Sequence, residues 1–134
     1  MALLFVDLDG FKAVNDNHGH HAGDLLLVEV ARRFEGVVRT QDTVARFGGD
    51  EFVILAEDLE SDDEALQIAQ RLNRILEEPV VLPSGSVRVS ASVGIAFSDE
   101  HGIEDLLLAA DVALYRAKAA GKARYVIHGA DATA

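Results

Sequence analysis

Arg46-Phe47-Gly48-Gly49-Asp50-Glu51-Phe52 is the stretch on which the reading of the fold turns. Apolar-rich segments flank it, residues 43–47 before and 51–56 after. A glycine pair between strand-like runs predicts a two-residue hairpin turn, because that turn asks for positive φ and glycine reaches it without a Cβ clash. Such a tip exposes bare backbone N–H groups and sets two carboxylates, Asp50 and Glu51, beside them. Anions and divalent cations can both use a place of this kind.

Upstream of the hairpin, residues 2–8 form an almost unbroken apolar run that ends in Asp7-Leu8-Asp9-Gly10. A run of that kind predicts a central strand covered on both faces, with Asp7 and Asp9 on one side. Residues 11–17 suit one or two helical turns, and 18–23 read as a break. Helical spacing returns over 24–38, with Leu26, Val30, Phe34 and Val37 on one face and Arg32 and Arg33 on or near the polar side. Downstream, Ser61-Asp62-Asp63-Glu64 has the pattern of a capping box. The helix it opens carries Ala65, Ile68, Ala69, Leu72, Ile75 and Leu76 at core spacing and stops at Pro79. Residues 80–82 and 87–97 read as a second hairpin about Pro83-Ser84-Gly85, and Gly94 signals a bulge or a close backbone approach. A last helix over 103–120 ends at Gly121, followed by a strand over 123–127. The whole is an α/β (α+β) arrangement: a mixed sheet packed with helices. One domain spans 1–128, and 129–134 form a loose tail.

The 134 residues suit one domain with a real core, and 49% of them are hydrophobic. The net charge of −11 argues against a general nucleic-acid or membrane surface. It also means that a phosphorylated substrate needs metal ions or local Lys and Arg to approach. There is no cysteine, hence no disulfide and no thiolate zinc site. Neither a membrane span nor a signal peptide is evident. The apolar strand starts directly after Met1, like a cut edge.

Several groups of residues could carry chemistry. Asp7, Asp9, Asp50 and Glu51 offer the hard oxygen donors that Mg²⁺ prefers, with phosphate oxygens completing the shell. Two such metals could neutralise a triphosphate and activate a hydroxyl. Lys118 and Lys122, four apart near a helix C-terminus, could hold terminal phosphates; taken alone they read as cations complementing the helix dipole. Asn15 with Asp24 could read a guanine edge, though each also suits a helix end. Arg39, before the hairpin, could grip phosphate, or make a surface ion pair with Asp42. His18, His20 and His21 read as solvated loop residues.

At these residues the sequence resembles the GGDEF-domain family, the diguanylate cyclases. The pentapeptide Gly48-Gly49-Asp50-Glu51-Phe52 is joined in order by Phe5-Val6-Asp7-Leu8-Asp9-Gly10-Phe11-Lys12, Asn15-Asp16, Gly19-His20, Gly23-Asp24, Ser92-Val93-Gly94-Ile95-Ala96, Ala110-Asp111, Ala117-Lys118 and Gly121-Lys122. The likeness covers essentially the whole chain.

The resemblance implies a fold similar to the palm of nucleotide cyclases. It implies condensation of two GTP to cyclic di-GMP with release of pyrophosphate, dependent on Mg²⁺ (or Mn²⁺), in a homodimer whose two sites meet face to face. Asp7, the Leu8 carbonyl and Asp50 match the metal ligands. Glu51 matches an acid that binds metal or helps to deprotonate the 3′-hydroxyl. Asn15 and Asp24 match the guanine readers. Lys118 and Lys122 match the phosphate holders, with the backbone of Phe11 and Lys12 near the phosphates and Gly48 and Gly49 giving clearance. Arg39 and Asp42 match an inhibitory product site that Arg71 completes. A cytoplasmic location and an attached sensor or receiver domain are implied as well. The family's usual leading helical segment does not stand before the first strand, and Ala123 stands where asparagine is common. A non-catalytic module that binds GTP or cyclic di-GMP is the alternative.

Overall fold

The first strand, β1 (Ala2–Asp9), sits at the centre of the molecule because both of its faces are apolar and both of its edges are paired. The computed structural model describes residues 1–98 and 103–129, except for the side chains of Ile103 and Glu104. After β1 come α1 (Phe11–His18), α2 (His20–Val37), the hairpin β2 (Thr43–Gly48) and β3 (Glu51–Ala56), and α3 (Asp63–Leu76). The chain continues through β4 (Val80–Leu82), β5 (Gly85–Val87), β6 (Ser90–Phe97), α4 (Ile103–Ala119) and β7 (Tyr125–Ile127). The main sheet has the order β2-β3-β1-β6-β7, antiparallel except for the parallel β6–β7 pair. This is the expected mixed sheet flanked by helices.

Strand alternation divides the core in two. Ala2, Leu4, Val6 and Leu8 face the layer built from α1, α2 and α3. Leu3 and Phe5 face the other way and pack with Ala96 under Leu106, Ala110 and Leu114 of α4. Gly94, opposite Phe5, is where α4 rests on the sheet: a Cβ there would lie 2.0 Å from the Ala110 carbonyl oxygen and 2.3 Å from the Leu114 nitrogen. Of the two readings of Gly94, the close approach is the right one, since the β1–β6 register runs through it without a shift.

Several local expectations give way. Only Gly19, at φ 93°, interrupts the helical backbone between α1 and α2, so His20 to Gly23 are helical. The second hairpin is two separate pieces: β4 pairs with β5 as a small sheet, and β6 belongs to the main one. The capping box does not form. α3 has no side-chain cap, and the Glu64 carboxylate instead accepts from the Glu60 N–H and pairs with Arg39. Arg33 is not on a polar face: it is largely buried and donates to the carbonyls of Ile75, Glu78 and Pro79, satisfying the C-terminal end of α3 from α2. The final strand starts at Tyr125 rather than at 123. Of the expected tail, 130–134 lie outside the described residues.

Candidate active site

The odd-numbered face of β1 changes from apolar to acidic as the strand leaves the cover of α4. After Leu3 and Phe5 come Asp7 and Asp9. Asp7 is buried, and Lys118 near the end of α4 makes an ion pair with its Oδ2. The tip of the β2–β3 hairpin is tied to the same place, since the Leu8 N–H donates to the Asp50 carbonyl at 3.1 Å. Burial pushes the Asp7 carboxyl up to about 6; the Lys118 hydrogen bond pulls against this, and the neighbouring Asp50 carboxylate adds to it. For Lys118, burial favours the neutral form but its bond to Asp7 outweighs this, and its pKa is raised.

A cleft of about 420 Å³ opens from these groups. Asp7, Leu8 and Asp50 line it from the strand ends, Phe11 and Lys12 from the start of α1, and Lys118 and Lys122 from the end of α4. Gly10, at φ 87°, makes the sharp exit from β1 that starts α1 beside the carboxylates. The two lysines do not share a helix face, as the spacing suggested. The Gly121 N–H bonds the Lys118 carbonyl and the Lys122 N–H bonds that of Ala117, which is the Schellman stop, with Gly121 at φ 122°. Lys122 thus lies beyond α4, in left-handed backbone at φ 64°, and still reaches the cleft.

The hairpin tip is built differently from the expected glycine turn. Neither Gly48 nor Gly49 has positive φ. Gly48 pairs with Glu51, the register shifts between Arg46 and Gly48, and the Arg46 guanidinium donates to the Gly49 carbonyl at 3.0 and 3.2 Å. A bulge and an arginine therefore close the tip in place of a left-handed pair. A Cβ on Gly49 would meet nothing, and one on Gly48 would touch only the Glu51 carboxylate at 3.4 Å. Glu51 is opposite Asp7 in the ladder but does not line the cleft.

Asn15 packs across Gly23: a Cβ on that glycine would lie 1.8 Å from the Asn15 Oδ1. This oxygen is buried without a hydrogen-bond partner among the described residues. Asp24, next in sequence, is exposed and borders a separate cleft of about 430 Å³ between α2 and the hairpin. On the far side of the hairpin, Arg39 bonds both oxygens of Asp42, the Glu57 carbonyl and Glu64. The Asp42 side chain is wholly buried. Burial alone would raise its pKa, but the side-chain and backbone bonds from Arg39 outweigh that and hold it below the usual carboxylate value. Arg71 is exposed on α3 and makes no hydrogen bond or ion pair among the described residues. It lies two turns from Glu64, about 10 Å along the same helix face.

Among the described residues, no three His, Cys, Asp or Glu side chains converge as a metal-ligand cluster. His18 instead hydrogen-bonds Ser84. The Asp7–Asp50 pair beside the Leu8 backbone nevertheless fits a hard divalent cation in donor type, and the raised Asp7 pKa, due first to burial and then to the nearby Asp50 carboxylate, marks a group that a cation would stabilise in its charged form. Two features escaped the sequence reading. Asp16 also lines the cleft, and its spacing of four from Lys12 was the available signal. Asp9 is taken up by protein donors, and nothing in the sequence set it apart from Asp7.

The family described as "Diguanylate cyclase, GGDEF domain" matches residues 1–124. The chain is 51% identical over 126 residues to the bifunctional diguanylate cyclase/cyclic di-GMP phosphodiesterase MucR of Pseudomonas aeruginosa, covering 92% of this chain and 18% of that protein. It is 46% identical over 121 residues to the diguanylate cyclase TpbB of the same species, covering 88% of this chain and 28% of that one. The chain therefore spans less than a third of either relative. The crystal structure of the TpbB GGDEF domain superposes with a TM-score of 0.92 at 40% identity, covering 97% of this chain and 83% of that one.

Proposed function

The chain belongs to the GGDEF-domain family, and we propose from this that it is a diguanylate cyclase domain, condensing two GTP into cyclic di-GMP and releasing two pyrophosphates. The observation that carries the reading is the convergence of Asp7, Asp50 and Lys118 at the mouth of a cleft whose other walls supply Lys12 and Lys122.

The 3′-hydroxyl oxygen of one GTP attacks the α-phosphorus of the other. The new P–O bond forms in line as the bond to the β-phosphate oxygen breaks, and a second such step closes the ring. Asp7, Asp50 and the Leu8 carbonyl would hold Mg²⁺ or Mn²⁺, which supplies charge neutralisation on the triphosphate. Lys118 and Lys122 bind phosphate oxygens. Lys118 can exchange its bond to Asp7 for one to phosphate, because its side chain is 39% exposed. The Phe11 and Lys12 N–H groups at the head of α1 cradle phosphate, as orphan donors of a helix start do. Glu51 takes the hydroxyl proton or adds a ligand oxygen, and Gly48 and Gly49 leave room for the nucleotide. The orphaned Asn15 oxygen accepts from the guanine, with Asp24 accepting from its N1–H and amino group. The attack joins two nucleotides, so two copies of the domain must meet face to face. An attached sensor or receiver domain in a longer chain would control that meeting.

Arg39, Asp42 and Arg71 form the proposed product site. Binding there requires Arg39 to give up its bond to Glu64. No helix among the described residues is long and apolar enough to cross a membrane.

The test is to hold two copies together by a fused leucine zipper, add GTP with Mg²⁺ or Mn²⁺, and follow cyclic di-GMP by chromatography. Product from this protein, and a loss of at least about 100-fold in Asp50→Asn, is expected. No product from the zipper-held protein would refute cyclase activity and leave nucleotide binding as the function.

A further inference from the structure

Asp7 and Asp9 stand two apart on one strand face, yet the fold gives them different surroundings. Asp7 meets the cleft, Lys118 and Asp50. Asp9 accepts three hydrogen bonds from the protein: Ser92 Oγ to Oδ1 at 2.7 Å, Ser90 Oγ to Oδ2 at 2.8 Å, and the Ala123 backbone N–H to Oδ2 at 3.0 Å. Ser92 is completely buried and Ser90 is paired with Asp9 in the β1–β6 ladder, so two of the donors are fixed by the sheet. The third belongs to the loop between α4 and β7.

That loop is strained where Asp9 holds it. Lys122 and Ala123 have φ of 64° and 50°, a region that residues with a Cβ avoid unless their surroundings impose it. The Schellman bonds fix the loop on the α4 side, and the Val93 N–H fixes the Arg124 carbonyl on the β6 side. Between these anchors, the Ala123 N–H to Asp9 is the bond that ties the left-handed pair to β1. Lys122, one residue before it, is thereby aimed at the cleft that Asp9 itself borders.

We propose that Asp9 is a positioning residue that acts on the nucleotide through Lys122: its carboxylate clamps Ala123 and so holds the Lys122 ammonium at the phosphates, and it does not serve as a metal ligand. This rests on the proposed phosphate role of Lys122. An isosteric Asp9→Asn leaves at most one oxygen for three donors and places an NH₂ against at least one of them.

The test combines a structural and a binding readout. In Asp9→Asn, amide hydrogen exchange at Ala123 should quicken by at least about tenfold while the melting transition remains cooperative. The affinity for 3′-deoxy-GTP, which has no attacking hydroxyl, should fall about tenfold in Asp9→Asn and in Lys122→Ala, and no further in the double variant; GMP should bind all three like the parent. If Asp9→Asn fails to fold, Ser90→Ala/Ser92→Ala leaves the carboxylate but removes two donors, and should show the same selective loss, weaker by about threefold. An unchanged Ala123 exchange rate overturns the clamp. Additive losses, or equal losses for GMP, overturn its action through Lys122. Undiminished 3′-deoxy-GTP binding by Lys122→Ala overturns the phosphate role of that lysine, and shows itself without reference to Asp9.

Discussion

At the scale of single residues, two carboxylates have opposite electrostatic settings and give opposite pH behaviour. Asp7 titrates near 6, so below that pH a divalent cation must displace both a proton and Lys118. Its apparent Mn²⁺ affinity, measured by calorimetry, should fall by about tenfold per pH unit below 6 and level off above it. A pH-independent affinity from 5 to 7 would remove Asp7 from the ligand set. Asp42 is depressed below 3.8, so its contribution to stability is complete above that value and is lost as pH falls through the folded-state pKa. Asp42→Asn should therefore cost about 2 kcal/mol in urea unfolding at pH 7, with the gap to the parent closing once the pH is well below the carboxylate range. The sequence offered Arg39–Asp42 as a surface pair of little worth; the buried Asp42 side chain makes it an internal brace.

At the scale of elements, α4 depends on one position in the strand beneath it. Gly94→Ala would drive a methyl into the Ala110 and Leu114 backbone, which cannot move as a side-chain tip could. The expected result is a loss of more than about 3 kcal/mol, read as a sharp drop in melting temperature or in soluble yield. A stable Gly94→Ala variant would show that α4 can lift from the sheet. Gly94 was legible in sequence because a glycine inside an apolar strand gives up packing area, which a bulge or a close neighbour repays. β1, α2, the β2–β3 hairpin and α4 were legible for a related reason: long runs of one period leave little choice. What failed were features decided by partners distant in the chain. Ser61 does not cap α3, whose N-cap position falls on Asp62, and Glu64 binds Arg39 instead. The hairpin tip needed no left-handed glycine because Arg46 and a bulge closed it. β5 parted from β6 because the main sheet took only the latter. Asp7 and Asp9 looked equivalent until Ser90, Ser92 and Ala123 arrived from more than eighty residues away.

At the scale of the whole molecule, the proposed reaction requires a chain of net charge −11 to admit a nucleotide that is itself strongly negative. The field it meets is repulsive beyond the few ångströms served by Lys12, Lys118 and Lys122. Added salt contracts the Debye length from about 30 Å at 0.01 M to about 8 Å at 0.15 M. The KM for GTP at saturating Mg²⁺ should therefore fall about two- to threefold over that range, the reverse of a site with cationic surroundings. A rising KM would mean that the three lysines outweigh the rest of the surface. The molecule also anchors part of the candidate site on its central strand. Asp7 and Leu8 ride on β1, whose backbone is bonded to β3 on one edge and β6 on the other. A strand held on both sides opens only when everything opens, so its amides belong with the slowest to exchange. Local melting therefore cannot serve as a throttle on this half of the site. Control is left to the pieces with a free flank, the hairpin tip and the stop of α4, and, in the proposed reaction, to how often a second copy is brought within reach.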